Sequence, residues 1–210
     1  MEARMKGIFI TFEGSEGSGK STQIRLVRAY LKKKKKPVLF IREPGGVRIS
    51  EKIRSILLDV ANMKMGDECE TLLYMAARAQ LVREVVAPAL KKGKIVLCDR
   101  FLDSTVAYQG YGNGVDIATI KRIGRFATCG IRPDITFFFD IDAPKGLSRI
   151  NRPKDRIERR AMSYHNRVRQ GYLAIARREP GRVKWIDATR SKDEIYAAVQ
   201  QHIDRLLQGR

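Results

Sequence analysis

The sequence predicts an α/β fold, with a parallel sheet of five strands flanked by helices. Short apolar runs alternate along the chain with longer helical stretches, the order of repeated strand–helix units. A glycine-rich turn joins the first apolar run to the first of those helices. The chain has 210 residues, of which 43% are apolar, which suits one domain with a sizeable core and excludes disorder as a description of the whole. No apolar run approaches the roughly 18 residues of a membrane span, and the amino terminus lacks the pattern of a secretory signal. A cytoplasmic protein with no membrane partner is the expectation. The cysteines (Cys69, Cys98 and Cys129) are odd in number and widely spaced, which argues against a disulfide framework and a zinc site.

Gly7-Ile-Phe-Ile-Thr-Phe12 reads as the first buried strand, and residues 20–36 as the first helix. Residues 37–41 form the second strand, ended by Arg42-Glu-Pro-Gly-Gly46. Helical patterns follow at 49–59 and 68–91, and a third strand at 94–98 runs into Asp99-Arg100. A glycine-rich loop holding Gly110, Gly112 and Gly114 leads to a helix near 116–128. Strands at 135–139 and 183–186 and helices at 158–178 and 191–207 complete one domain over 1–210, with a lid at about 146–160.

The charge is lopsided: 42 Lys+Arg against 23 Asp+Glu give +19. The excess sits at the two ends, net +8 in residues 1–50 and again in 151–210. At the front it is led by the run Lys32 to Lys36 at an expected helix end, where cations suit the helix dipole. A solvated helix end is the ordinary fate of such a run, and no nucleic-acid partner is expected from it.

Gly14-Ser-Glu-Gly-Ser-Gly19-Lys20-Ser21 fits G-x-x-x-x-G-K-[ST] at every fixed position, between an apolar strand and a helix. Residues 14–22 (Gly14, Ser15, Glu16, Gly17, Ser18, Gly19, Lys20, Ser21, Thr22) are therefore the expected ATP cradle. Their backbone N–H groups turn inward around phosphate oxygens, helped by the positive end of the following helix. Lys20 is expected at the β- and γ-phosphates and the Ser21 hydroxyl on Mg²⁺. Asp99, ending an apolar strand, is placed to support that metal directly or through water.

A kinase needs a second anion site, a base-recognition surface and a mobile cover. Arg42, Arg78 and Arg100 lie beside apolar elements that aim them at the carboxyl edge of the sheet, where open α/β folds bind ligands. Arg matches a phosphate bidentately. Tyr74 and Arg78, at i and i+4, share a helix face; they could stack on a pyrimidine and donate to an accepting O4, or form a surface cation–π pair. Residues 149–160 hold six basic residues in twelve, either a cover placing arginines over transferring oxygens or a solvated helix start.

These segments together resemble the thymidylate kinase family. The resemblance rests on Gly14–Thr22, Arg42-Glu-Pro-Gly-Gly46, Tyr74 through Arg78, the run from Asp99-Arg-Phe to Ala-Tyr-Gln-Gly110, and Asp155-Arg-Ile-Glu158. It implies a P-loop nucleoside monophosphate kinase fold and the reaction ATP + dTMP → ADP + dTDP in dTTP synthesis, with Mg²⁺ accompanying ATP, and a homodimer. Carried over by position, Arg42 and Arg100 hold the dTMP phosphate, Tyr74 stacks on thymine and Arg78 meets its O4 edge. Ser104, Tyr108 and Gln109 line the nucleoside pocket, and Glu16 stands near the sugar. Lys20, Arg100 and the lid residues Arg152 and Arg156 are the expected catalytic set. The lid reads Arg152-Pro-Lys-Asp-Arg156, where the family more often has a longer, glycine-containing spacing, and Val47 stands where Thr commonly follows the two glycines. No general base is required, because the acceptor phosphate is already a nucleophile; the two histidines, His165 and His202, lie near no motif. Rival readings are a kinase for another nucleoside monophosphate, a nucleic-acid-stimulated P-loop ATPase, and a phosphate-binding module without chemistry.

Overall fold

Five short strands pair in parallel: β1 (Ile8–Glu13), β2 (Val38–Arg42), β3 (Ile95–Asp99), β4 (Ile135–Asp140) and β5 (Val183–Asp187). Their order across the sheet is β2-β3-β1-β4-β5. The computed structural model describes residues 7–209, so the outermost ends of the expected domain, 1–6 and 210, lie outside it. Every residue of β1 and β4 is buried, as central strands of a parallel sheet covered on both faces require.

Strand alternation divides the core. Ile8, Ile10 and Phe12 pack with Phe137 and Phe139 against α1 (Lys20–Lys33) and α9 (Lys192–Gln208) on one face. Phe9 turns to the other, with Ile41, Leu81, Val82 and Phe101. Thr11 joins Thr136 by a hydroxyl pair at 2.7 Å, which lets a polar residue sit in a dry layer. Each fully buried Phe, Ile or Leu contributes about 1.5–3 kcal/mol of transfer free energy. By the same alternation Glu13 reaches the carboxyl edge of the sheet on the Phe9 face.

The helix expected over 68–91 is interrupted. It runs as α3 (Asp67–Leu81), passes through a π-helical turn at Val82–Val86, and resumes as α4 (Ala87–Lys91). The turn precedes Pro88, which has no N–H to donate to a continuing helical ladder. The helix read as 49–59 is α2 (Arg48–Leu58), and the one near 116–128 is α6 (Ile117–Ala127).

Most of the stretch read as a glycine-rich loop is helical: α5 (Leu102–Thr105) continues into a wide π turn over Val106–Gly112, and of its glycines only Gly114, at φ +87°, lies in a loop. Gly110 and Gly112 serve packing. A Cβ on Gly112 would stand 2.6 Å from the Tyr164 ring, on α8 (Met162–Arg178). Helix α8 begins four residues later than expected, because residues 156–159 form a turn. Between α7 (Ala143–Ser148) and α8 the chain carries the lid segment.

Candidate active site

The P-loop closes over the carboxyl end of β1 and is backed by α7. Gly17 has φ +65°, and a Cβ there would lie 1.9 Å from the Gly146 carbonyl oxygen, so only glycine fits at this approach. Lys20 is buried, and its ammonium donates to the carbonyls of Gly14 (3.0 Å) and Ser15 (2.7 Å) and to Ser18 Oγ (3.2 Å). Burial, with Arg100 adding to it, pulls the lysine down to about 8 despite the acids Asp99, Glu16 and Glu13. Ser15 Oγ is buried with no hydrogen-bond partner among the described residues.

A cavity of about 620 Å³ opens beside this loop. Glu16, Gly17, Lys20, Ser21 and Asp99 form one wall, Tyr74, Arg78, Ser104, Tyr108 and Gln109 another, and Arg149, Arg152, Asp155 and Glu158 of the lid cover it. The sequence-expected ATP, acceptor and lid segments therefore face one space.

Arg100 occupies its centre. It has φ +68°, a conformation that costs a non-glycine residue and clusters at functional sites. From there its guanidinium donates to Glu16 Oε1 (3.2 Å), Ser104 Oγ (3.3 Å) and the Tyr172 hydroxyl (3.3 Å), and it lies 5.0 Å from the Tyr108 ring centroid. Tyr108 donates to the same Glu16 oxygen at 2.6 Å. Burial alone would raise the Glu16 pKa, but Arg100 and the Tyr108 hydrogen bond outweigh it and hold this carboxyl below the usual range. Its other oxygen, Oε2, is buried without a hydrogen bond. His165 is not remote, as sequence position suggests: it is buried with Nδ1 3.8 Å from that oxygen, brought there by the first turn of α8.

Beneath Arg100 lies a carboxylate the sequence reading missed. Glu13 accepts from the Phe101 N–H (2.7 Å), Ser104 Oγ (2.6 Å) and the Tyr172 hydroxyl (3.0 Å). Burial and then Asp103 push its pKa up to about 7, against the hydrogen bond from Ser104. It fixes the hydroxyls that Arg100 in turn contacts.

Tyr74 lines the cavity, and burial followed by the nearby Glu70 carboxylate keeps its phenol protonated far above the ordinary value. Arg78 lines it too but is 2% exposed. Its Nε pairs with Glu43 at 2.8 Å, and its other nitrogens donate to Thr105 Oγ1 and the Phe101 carbonyl, both at 3.0 Å. Its aromatic neighbour is Phe101, at 5.4 Å, so the surface cation–π pair with Tyr74 is not what forms. Gln109 is held by Glu70 at 2.8 Å.

Of the expected loop residues, Glu16, Gly17, Lys20 and Ser21 line the cavity and Gly14, Ser15, Ser18, Gly19 and Thr22 do not, and two expected arginines are not brought into it. Arg42 is turned along its rim, with Nη2 on both oxygens of Glu51 (3.0 and 3.1 Å) and Nη1 on the Pro44 carbonyl; Arg54, which shares that carbonyl (3.0 Å), reaches the cavity instead. Arg156 points away from it, 1% exposed, with Nη2 2.5 Å from Glu70 Oε2 and Nε on the Leu57 carbonyl at 2.7 Å. Arg160 also reaches Glu70, at 2.8 Å. The lid arginines that face the cavity are Arg152, clasped by both oxygens of Glu158 (2.9 and 2.6 Å), and Arg149, whose Nη1 donates to the Gly17 carbonyl (3.2 Å). A repeat was available in the sequence: Glu70, Tyr74 and Arg78 are spaced four apart on α3, one face pointing at one place.

Ser21 and Asp99 both line the cavity. They offer hard oxygen donors, and among the described residues no side chain donates to the Asp99 carboxylate. That small donor set suits Mg²⁺, which keeps several waters and completes its shell with substrate phosphates.

The thymidylate kinase family profile matches residues 12–199. A thymidylate kinase of Pelotomaculum thermopropionicum is 47% identical over 98% of this chain and 98% of its own. That of Kosmotoga olearia is 49% identical over 91% and 93%. The crystal structure of thymidylate kinase from Ehrlichia chaffeensis superposes with a TM-score of 0.75 at 33% identity, covering 94% of this chain and 98% of that one. By the profile match over residues 12–199 and by these relatives, the chain belongs to the thymidylate kinase family.

Proposed function

We propose a division of labour for the reaction ATP + dTMP → ADP + dTDP, which this chain catalyses as an ATP-dependent kinase. The observation that carries it is the single cavity shared by the P-loop, the Tyr74–Arg78 face and the lid. The loop of residues 14–22 holds the ATP phosphates, and Lys20 exchanges its carbonyl contacts for their oxygens. Ser21 and Asp99, the latter directly or through water, would hold Mg²⁺, which when bound offsets the repulsion between two anionic substrates.

Tyr74 stacks on the base and Arg78, rigidly held by Glu43 and Thr105, presents its edge to O4. Ser104, Tyr108 and Gln109 bound the nucleoside, and Glu16 stands at the sugar. Arg100 is the principal donor to the acceptor phosphate, with Arg54 and, at the rim, Arg42. Arg152 and Arg149 meet the transferring phosphoryl group; Arg156 anchors the lid and acts through it. Catalysis is then positioning plus charge stabilisation, with no base to deprotonate a nucleophile.

The protein works in the cytoplasm, where its three free thiols remain reduced; no helix among the described residues is long and apolar enough to cross a membrane. It works as a homodimer. Ile49 and Ile56 of α2, Leu72 of α3 and Phe126 of α6 are 50%, 47%, 54% and 84% exposed on three neighbouring helices, an apolar surface that a second copy would cover. Release of ADP measured with dTMP, dUMP, dCMP and AMP tests the substrate assignment. Preference for dTMP is expected; equal rates with all four would overturn it.

A further inference from the structure

The nucleotide site uses few of the basic residues. Of the remainder, the structure gathers a group that the sequence separates. Between Glu16 and Glu43, and again between Glu84 and Asp99, the chain contains no acid. The first stretch holds α1, its five-lysine tail and β2; the second holds α4 and β3 up to Cys98.

These tails meet at the amino edge of the sheet, the end opposite the P-loop. The Ile95 N–H donates to the Pro37 carbonyl at 2.8 Å and the Ile8 N–H to the Lys94 carbonyl at 3.2 Å, so Lys36-Pro37 and Lys94-Ile95 are neighbours. Lys32 to Lys36, Lys91, Lys92 and Lys94 are all exposed there. Arg25 and Arg28 extend the exposed stripe up α1. The carboxyl end of α9 adds exposed Arg205, and its Asp204 is the acid paired in this group, with Lys34 at 3.2 Å.

Such a concentration of like charge is unfavourable to the folded chain and is relieved by an extended anion. The residue type narrows the partner. Lysine ammonium groups meet phosphates as point charges. The ring beside them, Tyr30, is covered by the Lys34 ammonium 5.0 Å from its centroid and gives its hydroxyl to Asp204, so it is not free to stack on unpaired bases, and no exposed apolar helix face accompanies the lysines to enter a lipid surface. We propose that this edge is a docking surface for the phosphate backbone of duplex DNA, independent of sequence and remote from the kinase cavity.

The test uses the full chain and a fluorescent 30-base-pair duplex of mixed sequence, followed by anisotropy between 50 and 200 mM salt. About five phosphate contacts predict a log–log salt slope near −4.5, so that affinity falls about 500-fold over that range. The variant carrying Lys32→Gln, Lys33→Gln, Lys36→Gln, Lys91→Gln, Lys92→Gln and Lys94→Gln should lose most of this binding and slope while turning over dTMP as before. Arg177→Gln with Arg178→Gln, at the β5 end of the sheet, should change neither. The proposal is overturned if the duplex does not bind at 50 mM salt, or if the six-lysine variant binds it unchanged. It is equally overturned if a single strand or phosphatidylserine vesicles bind this edge more tightly than the duplex.

Discussion

Arg156 Nη2 stands 2.5 Å from Glu70 Oε2, with the two side chains 1% and 0% exposed. The lid is thereby tied at its far end to α3, the helix that also carries Tyr74 and Arg78. Gln109 and Asn113 share the other Glu70 oxygen, at 2.8 and 3.0 Å, so one carboxylate joins the lid, α3 and the π turn. Removing it leaves a buried arginine unpaired, which costs about 3–5 kcal/mol. Glu70→Ala should lower the unfolding free energy obtained from urea titration by that amount, and Arg156→Ala should do nearly the same. Unchanged unfolding curves would contradict this role.

Arg152 has the opposite character. Its side chain is 59% exposed and its partner Glu158 lies within the lid. Arg152→Ala should leave the unfolding free energy within about 0.5 kcal/mol and lower kcat about 10²–10³-fold with little change in KM for dTMP. A rise in KM alone would assign it to ground-state binding instead.

Glu13 makes stability depend on pH. Its pKa in the fold is about 7, raised from an ordinary 4.5. The folded state therefore binds the extra proton, and stability is greatest below about 4.5 as far as this group is concerned. It is lost as pH rises through 7, by about 3 kcal/mol at most. Glu13→Gln should flatten that slope when urea unfolding is measured from pH 5 to 8. A slope equal to that of the unaltered protein would show that Glu13 does not titrate in this window.

Lys20 sets a second pH limit. With its pKa near 8 before ATP arrives, the ammonium is progressively neutralised above that value, and a neutral amine holds phosphate poorly. ATP affinity, read by calorimetry, should fall between pH 8 and 9.5, with proton uptake on binding. Lys20→Met should bind weakly at every pH and abolish that dependence.

Much of this architecture follows from local signals. The apolar runs at 8–12 and 135–139 are β1 and β4, two of the three interior strands, because residues dry on both faces are apolar with little alternation. The P-loop is readable because spacing, strand and helix are contiguous. What sequence position hides is what packing creates. Glu13 looks like the polar end of a strand until Ser104 and Tyr172 close on it. His165 reaches Glu16 only through the placement of α8. Arg156 and Arg152 are equivalent in a basic run, yet one meets Glu70 and is buried while the other stays on the cavity side. The glycines at 110 and 112 suggest a loop because their packing partners, Ile117 and Tyr164, belong to later helices.

Product stoichiometry tests the central claim most directly. With ATP and dTMP supplied together, each ADP formed should be matched by one dTDP, and Lys20→Met should form neither. ADP accumulating without dTDP, or turnover that needs added nucleic acid, would contradict phosphoryl transfer to dTMP in this cavity.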